Sequence, residues 1–211
     1  MSAREEILGR VRAALADVEP TAAEQSPVVA PPGAVAASPE QVLDLFAERV
    51  EDYRAVVVRC GPEGVAAAVA DAVPAGSRVV VPDALPREVV AGIDGEVLPD
   101  DGLSAAALDA VDAVVTACRV GIAETGTIVL DHQADQGRRA ITLVPDRHVC
   151  VVHADQVVPD VPDAVALLDP QRPLTWISGP SATSDIELSR VEGVHGPRHL
   201  TVIVVGGAGA P

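Results

Sequence analysis

Short apolar runs of strand length alternate with helical segments along the first half of this chain. Because strands that alternate with helices pair in parallel through crossover connections, the pattern predicts βαβ units and a largely parallel, covered sheet. The predicted strands are 55–59, 78–81 and a run around Val97, and the predicted helices begin near Pro62, Arg87 and Ser104.

From Ala113 onward, strand-like runs follow one another without room for crossover helices. Pro145-Asp146-Arg147 is typical of a turn, so we expect the runs on either side of it to pair in antiparallel fashion. The fold class predicted for the whole chain is therefore α/β, with a mixed sheet and helices on both faces. The predicted strands here are 114–117, 127–130, 140–144, 149–153, 174–178 and 199–205, with a helix over 161–168.

The N-terminal 37 residues differ in character from the rest. Ser2 and Glu5 form a predicted capping box for an amphipathic helix, which is followed by an Ala/Pro-rich linker over 19–37. A second capping box, Ser38-Pro39-Glu40-Gln41, marks a new helix. We therefore predict an N-terminal helix and linker over 1–37 and one main domain over 38–211.

Composition excludes several classes of function. The formal net charge is −16 and lysine is absent, so nucleic acid and anionic membranes are disfavoured as partners, although Arg138 and Arg139 could hold one small anion. Aromatic residues are limited to Phe46, Tyr53 and Trp176, so aliphatic side chains must fill the interior and stacking platforms are scarce. With 211 residues and 48% hydrophobic content, the chain suits a single domain of ordinary size.

The three cysteines, Cys60, Cys118 and Cys150, are odd in number and widely spaced. This pattern argues against a disulfide framework and lacks the spacing of a zinc or iron–sulfur site, so we expect no metal or redox cofactor in this chain. No signal peptide and no apolar run of membrane-spanning length is apparent. We therefore expect a cytoplasmic protein.

The first segment with chemical potential runs from Gly121 to Thr127 and places Glu124 between small, flexible residues. Gly121 and Gly126 permit close approach of a ligand, and Thr125 and Thr127 supply hydroxyl groups, so Glu124 is a candidate base, nucleophile or ligand anchor. The alternative is a hairpin turn with an exposed glutamate.

The second segment, 178–187, joins a predicted strand to a short helix, a position where α/β proteins bind anions. Its candidate ligand-binding residues are Ser181, Thr183, Ser184 and Asp185. The alternative is that Ser184 and Glu187 only form a capping box. A third segment, 193–198, contains His195 between glycines, as a candidate catalytic imidazole or a hydrogen-bonded turn residue.

Together the segments 121–127, 179–187 and 193–197 resemble, in order and spacing, the signature of the LutC/YkgG family of lactate-utilisation proteins. The resemblance extends from about Ser38 to Val205. It implies a LUD domain with a fold similar to the NagB/RpiA/CoA-transferase group. It also implies a role beside two larger iron–sulfur partner proteins in converting L-lactate to pyruvate, with the clusters in those partners.

The resemblance supplies no established catalytic residue. We predict that Glu124, Ser181 and His195 belong to one functional site, because three Gly-flanked polar loops beside apolar strands are most simply explained by one cleft. Two further interpretations remain open. One is an enzyme or binding protein for a CoA thioester or a sugar phosphate, with Glu124 as its key carboxylate, and the other is a scaffold without a ligand.

Overall fold

The computed structural model describes residues 3–17, 37–183, 191–192 and 196–206. The chain divides into two compact units, Met1–Ala30 and Pro31–Pro211. The helices are α1 (Ala3–Ala14), α2 (Pro39–Asp52), α3 (Val65–Ala72), α4 (Ala105–Asp109) and α5 (Val161–Leu167). The strands are β1 (Val56–Cys60), β2 (Ser77–Val81), β3 (Gly95–Pro99), β4 (Ala113–Thr116), β5 (Val120–Ile122), β6 (Thr127–Leu130), β7 (Arg147–His153), β8 (Val157–Val158), β9 (Thr175–Ile177), β10 (Ala182–Thr183), β11 (Val191–Glu192) and β12 (His199–Val205).

Capping determines where α2 begins. The Ser38 side chain accepts a hydrogen bond from the Gln41 backbone N–H at 3.2 Å, and Gln41 Oε1 accepts one from the Ser38 N–H at 2.9 Å. This reciprocal pair is the predicted capping box. The helix then buries Val42, Phe46 and Val50 on one face. Ser2, predicted to cap α1, and nearly all of the predicted linker lie outside the described residues.

The main sheet has six strands in the order β1-β12-β7-β4-β2-β3, and every neighbouring pair is parallel. Alternate side chains of its strands enter two different apolar clusters, as expected for a sheet buried on both faces. Val149 and Val151 of β7 pack in a cluster with Val69 of α3, whereas Cys150 and Val152 pack in a cluster with Phe46 of α2. Helices therefore cover both faces, and the α/β class is confirmed.

A smaller mixed sheet packs on the α2 side of the main sheet. Its strand order is β8-β5-β6-β9, with β5 parallel to β8 and β6 antiparallel to both β5 and β9. Ile128 and Leu130 of β6 share the buried cluster of Phe46 and Cys150. None of the helices within the described ranges is long and apolar enough to cross a membrane.

Two predictions about the second half are wrong. Residues predicted as a strand over 140–144 form a 3₁₀ helix, Arg139–Thr142, in which Ile141 is buried against Val80, Leu108 and Val114. The turn at Pro145-Asp146-Arg147 does not join antiparallel strands, because it leads into β7, which lies parallel to β4 and β12. All five residues of the run are buried or half-buried, and short apolar runs do not distinguish a strand from a helical turn.

Deleting residues 1–37 is expected to leave a folded domain. The described part of Met1–Ala30 contributes α1, in which no residue is buried, whereas the buried residues of all four apolar clusters lie between Val42 and Val205. Circular dichroism and thermal melting of the truncated protein check this, with the full chain as the reference. An unfolded product would show that α1 completes the core.

Candidate functional site

Glu124 lies in the four-residue turn between β5 and β6. Ile122 and Thr127 pair across the hairpin, and the Gly126 N–H donates to the Ala123 carbonyl at 3.3 Å. The Glu124 backbone N–H donates to the Pro159 carbonyl at 3.0 Å, while its side chain is exposed and makes no hydrogen bond or ion pair within the described ranges. The backbone of Glu124 is therefore held in place, and its carboxylate is available to a binding partner or ligand.

Both glycines of this segment have packing reasons to be glycine. A β carbon on Gly126 would lie 2.6 Å from the backbone carbonyl atoms of Arg49, and the residue has a φ of +57°. A β carbon on Gly121 would lie 3.0 Å from the ring of Phe46. The β5–β6 hairpin therefore packs directly against α2, which explains Gly121 and Gly126 without a ligand.

Hydroxyl groups connect the first segment to the second. The Thr125 hydroxyl donates to Thr127 Oγ1 at 2.8 Å, and Thr127 Oγ1 lies 2.8 Å from Ser178 Oγ, with either atom as the donor. Ser178 follows β9, which pairs with β6, so the smaller sheet brings the two segments together. Thr125 and Thr127 are engaged within the protein in this way.

The second segment meets the third beside a cavity of about 260 Å³. The Ser181 N–H donates to the Pro197 carbonyl at 2.8 Å. Residues from both segments, from β7, β9 and β12, and from the end of the 3₁₀ helix Arg139–Thr142 line the cavity: Thr142, Leu143, His148, Thr175, Trp176, Ile177, Ser178, Gly179, Pro180, Ser181, Gly196, Pro197 and Leu200. Glu124 is not among these lining residues.

Other predicted site residues are only partly described. Thr183 pairs with Val191 in the β10–β11 ribbon, but its side chain is not described. Ser184, Asp185 and His195 lie outside the described residues, as does the short helix predicted after residue 184. The structure thus brings together Thr127, Ser178, Ser181 and the Gly196-Pro197 flank of His195, and the placement of His195 in this site stays a prediction.

His148 is the site residue that sequence analysis did not select. It is 1% exposed, lines the cavity, and its Nε2 atom lies 2.8 Å from Thr116 Oγ1. Burial disfavours the charged imidazolium and lowers the pKa of His148 to about 4, so the ring is neutral at pH 7. The sequence feature that could have identified His148 is its spacing of two residues from Cys150. This spacing places both side chains on the face of β7 that packs against the smaller sheet.

The predicted Arg138–Arg139 anion site is largely occupied by the protein itself. Arg138 forms a bidentate pair with Asp100, with distances of 2.7 and 2.8 Å, and this hydrogen bonding raises the pKa of Arg138. Arg139, unlike Arg138, has no side-chain partner among the described residues. Within the described ranges, no group of three or more His, Cys, Asp or Glu residues is arranged to hold a metal ion.

Comparison with known proteins identifies the family. The model of the LUD domain matches residues 34–205. The chain belongs to the LUD domain family. The matched region begins just before α2 and ends with β12, so this LUD domain contains both sheets, the β5–β6 hairpin and the cavity.

Relatives of this LUD domain protein include a "Lactate utilization protein C" from Deinococcus radiodurans, which is 48% identical and is aligned over 97% of this chain and 96% of its own length. A "Lactate utilization protein C" from Geobacillus kaustophilus is 37% identical over 41% of this chain and 39% of its own. A crystal structure of a DUF162 family protein from Deinococcus radiodurans superposes with a TM-score of 0.69 and 45% identity, covering 81% of this chain and all 100% of that one.

Proposed function

We propose that this chain is an accessory protein or small subunit of an iron–sulfur system that oxidises L-lactate to pyruvate in the cytoplasm. The observation that carries the proposal is the 48% identity, over nearly the full length of both chains, with a protein named Lactate utilization protein C. The contacts among the three segments support a site in this chain, since Thr127 contacts Ser178 and Ser181 contacts Pro197.

Oxidation of lactate to pyruvate removes two electrons and two protons, so the system needs a redox centre. Iron–sulfur clusters are usually held by four cysteine thiolates, and this chain has three cysteines. Cys118 and Cys150 are buried, and a hydrogen bond with Cys150 together with burial raises the pKa of Cys118 well above its usual range. A protonated thiol is a poor metal ligand. We therefore place the iron–sulfur clusters in partner subunits.

Glu124 is the residue of this chain best placed to act toward such a partner or a ligand held between them. It is exposed at the tip of a hairpin whose backbone is held by Pro159 and packed on α2. An enzyme that uses a carboxylate as acyl acceptor needs it within an enclosed pocket. The exposed position of Glu124 therefore favours the accessory role over a CoA-ester or sugar-phosphate enzyme.

Growth on L-lactate tests this function. Deletion of the gene is expected to abolish growth on L-lactate as sole carbon source, and the wild-type gene is expected to restore it. A Glu124→Gln variant is expected to restore growth poorly, because losing one hydrogen bond to a charged group costs about 1.5–3 kcal/mol. Its melting temperature should stay unchanged, since the carboxylate has no partner within the described ranges.

Glu88→Gln is the matched control, because Glu88 is also an exposed glutamate and lies in a 3₁₀ helix away from the three segments. It is expected to restore normal growth. Unimpaired growth of the deletion strain, in a host with no second copy of the gene, would reject the lactate role. Normal growth with Glu124→Gln, at normal protein levels, would reject the proposed role of Glu124 and leave the lactate role of the protein intact.

A further inference from the structure

The cavity between Ser181 and His148 carries a more specific chemistry than the three segments indicate. Its volume of about 260 Å³ is below the roughly 300–1,000 Å³ typical of pockets for drug-sized ligands, so it suits a molecule of a few carbon atoms. Leu143, Ile177 and Leu200 form an apolar part of its wall. Among the described lining residues, His148 is the one with an ionisable side chain, and the side chains of the others are uncharged.

Several polar groups of this lining already have partners in the protein. The Thr142 hydroxyl donates to the Arg139 carbonyl at 3.1 Å, Thr175 Oγ1 lies 2.8 Å from His132 Nε2, and Ser178 Oγ lies 2.8 Å from Thr127 Oγ1. His148 differs, because only its Nε2 atom is engaged, with Thr116 Oγ1. Its Nδ1 atom has no hydrogen-bond partner among the described residues.

His148 lines the cavity, although the residue as a whole is 1% exposed. A molecule in the cavity is therefore the partner available to its second ring nitrogen, because buried polar atoms are usually hydrogen-bonded.

We propose that this cavity binds a small uncharged hydroxy compound whose hydroxyl group hydrogen-bonds to His148 Nδ1. A hydroxyl group suits either tautomer of the ring, because it both donates and accepts, whereas a carboxylate only accepts. A carboxylate buried here would find no cation on the described lining, and an unpaired buried charge is strongly unfavourable. Burial, which keeps the pKa of His148 at about 4, prevents the imidazole from supplying that positive charge at pH 7.

This inference is independent of the lactate role, and the purified full chain tests it. Trp176 is the single tryptophan of the chain, lines the cavity and is 42% exposed, so its fluorescence reports on occupancy. The probes are propane-1,2-diol, lactamide and L-lactate at pH 7.5. Lactamide and L-lactate have the same number of heavy atoms and differ in charge. N-acetyltryptophanamide serves as the control for solvent effects on fluorescence.

Saturable fluorescence changes are expected with propane-1,2-diol and lactamide, and lactamide is expected to bind at least about tenfold more tightly than L-lactate. Two variants test the contact. His148→Gln places an amide near the former Nε2 atom and removes the group at Nδ1, so it should weaken lactamide binding roughly fivefold, the value of one neutral hydrogen bond. His148→Asn keeps a polar atom on the Nδ1 branch and should bind lactamide nearly as the wild type does.

Binding of L-lactate as tight as that of lactamide would overturn the proposal that the ligand is uncharged. The absence of a saturable change with both uncharged probes would overturn the ligand site. Equal binding by the wild type and His148→Gln would overturn the role of Nδ1. Should His148→Gln fail to fold, the comparison of lactamide with L-lactate on the wild type still decides the class. None of these outcomes bears on growth on L-lactate, so the two proposals fail separately.

Discussion

Replacing Gly126 with alanine is expected to lower the free energy of unfolding by roughly 3 kcal/mol. Two costs combine. A residue with a β carbon at a φ of +57° loses about 1–2 kcal/mol. The added carbon would also lie 2.6 Å from the backbone of Arg49 in α2, and such overpacking typically costs about 1–3 kcal/mol. Backbone atoms of a helix cannot move aside as a flexible side chain can.

Gly76→Ala is the matched control. Gly76 has a φ of +77°, but a β carbon there would meet nothing within 4 Å, so only the conformational cost of about 1 kcal/mol should remain. Urea denaturation of both variants measures the difference. Equal destabilisation would show that the contact between the hairpin and α2 is loose, and that Gly126 is needed only for its backbone conformation.

The stability of the wild type is expected to fall by about 3 kcal/mol more than that of His148→Asn when the pH is lowered from about 7 to 4. In the folded state the pKa of His148 is lowered from 6.5 to about 4, whereas in the unfolded state the imidazole has its ordinary pKa. Below pH 6.5 the unfolded state therefore binds a proton that the folded state does not. This linkage lowers the free energy of unfolding progressively until the folded pKa is reached.

Chemical denaturation at a series of pH values from 4 to 8 measures this effect. The carboxylates titrate in both proteins and cancel in the comparison, so the difference between the two pH profiles isolates residue 148. The difference between the two profiles should be constant above pH 7 and change by about 3 kcal/mol between pH 6.5 and pH 4. Parallel profiles throughout the range would mean that the His148 imidazole is hydrated in the folded protein.

Several features of the fold follow from local sequence and were predicted correctly. The capping box at Ser38 begins α2, because a serine and a glutamine three residues apart satisfy each other's backbone groups. The run over 199–205 is the last strand of the main sheet. The run over 140–144 was assigned wrongly, because a short apolar run fits a buried strand as well as a buried helical turn.

For the candidate site, local sequence identified the loops that combine glycine with polar residues. Which atoms of these loops meet depends on strand pairing between distant parts of the chain. Antiparallel pairing of β6 with β9 brings Thr127 to Ser178, and this pairing joins segments about fifty residues apart that no local pattern relates.

His148 is the clearest example of a site residue that local sequence does not identify. Its sequence neighbourhood marks it only as one residue of an apolar strand. The parallel register of the main sheet places it between Val114 of β4 and Leu200 of β12, on the face covered by the smaller sheet. There its Nε2 atom contacts Thr116, and the residue lines the cavity. Burial and hydrogen bonding depend on residues distant in the chain, so only the folded arrangement sets the chemistry of this imidazole.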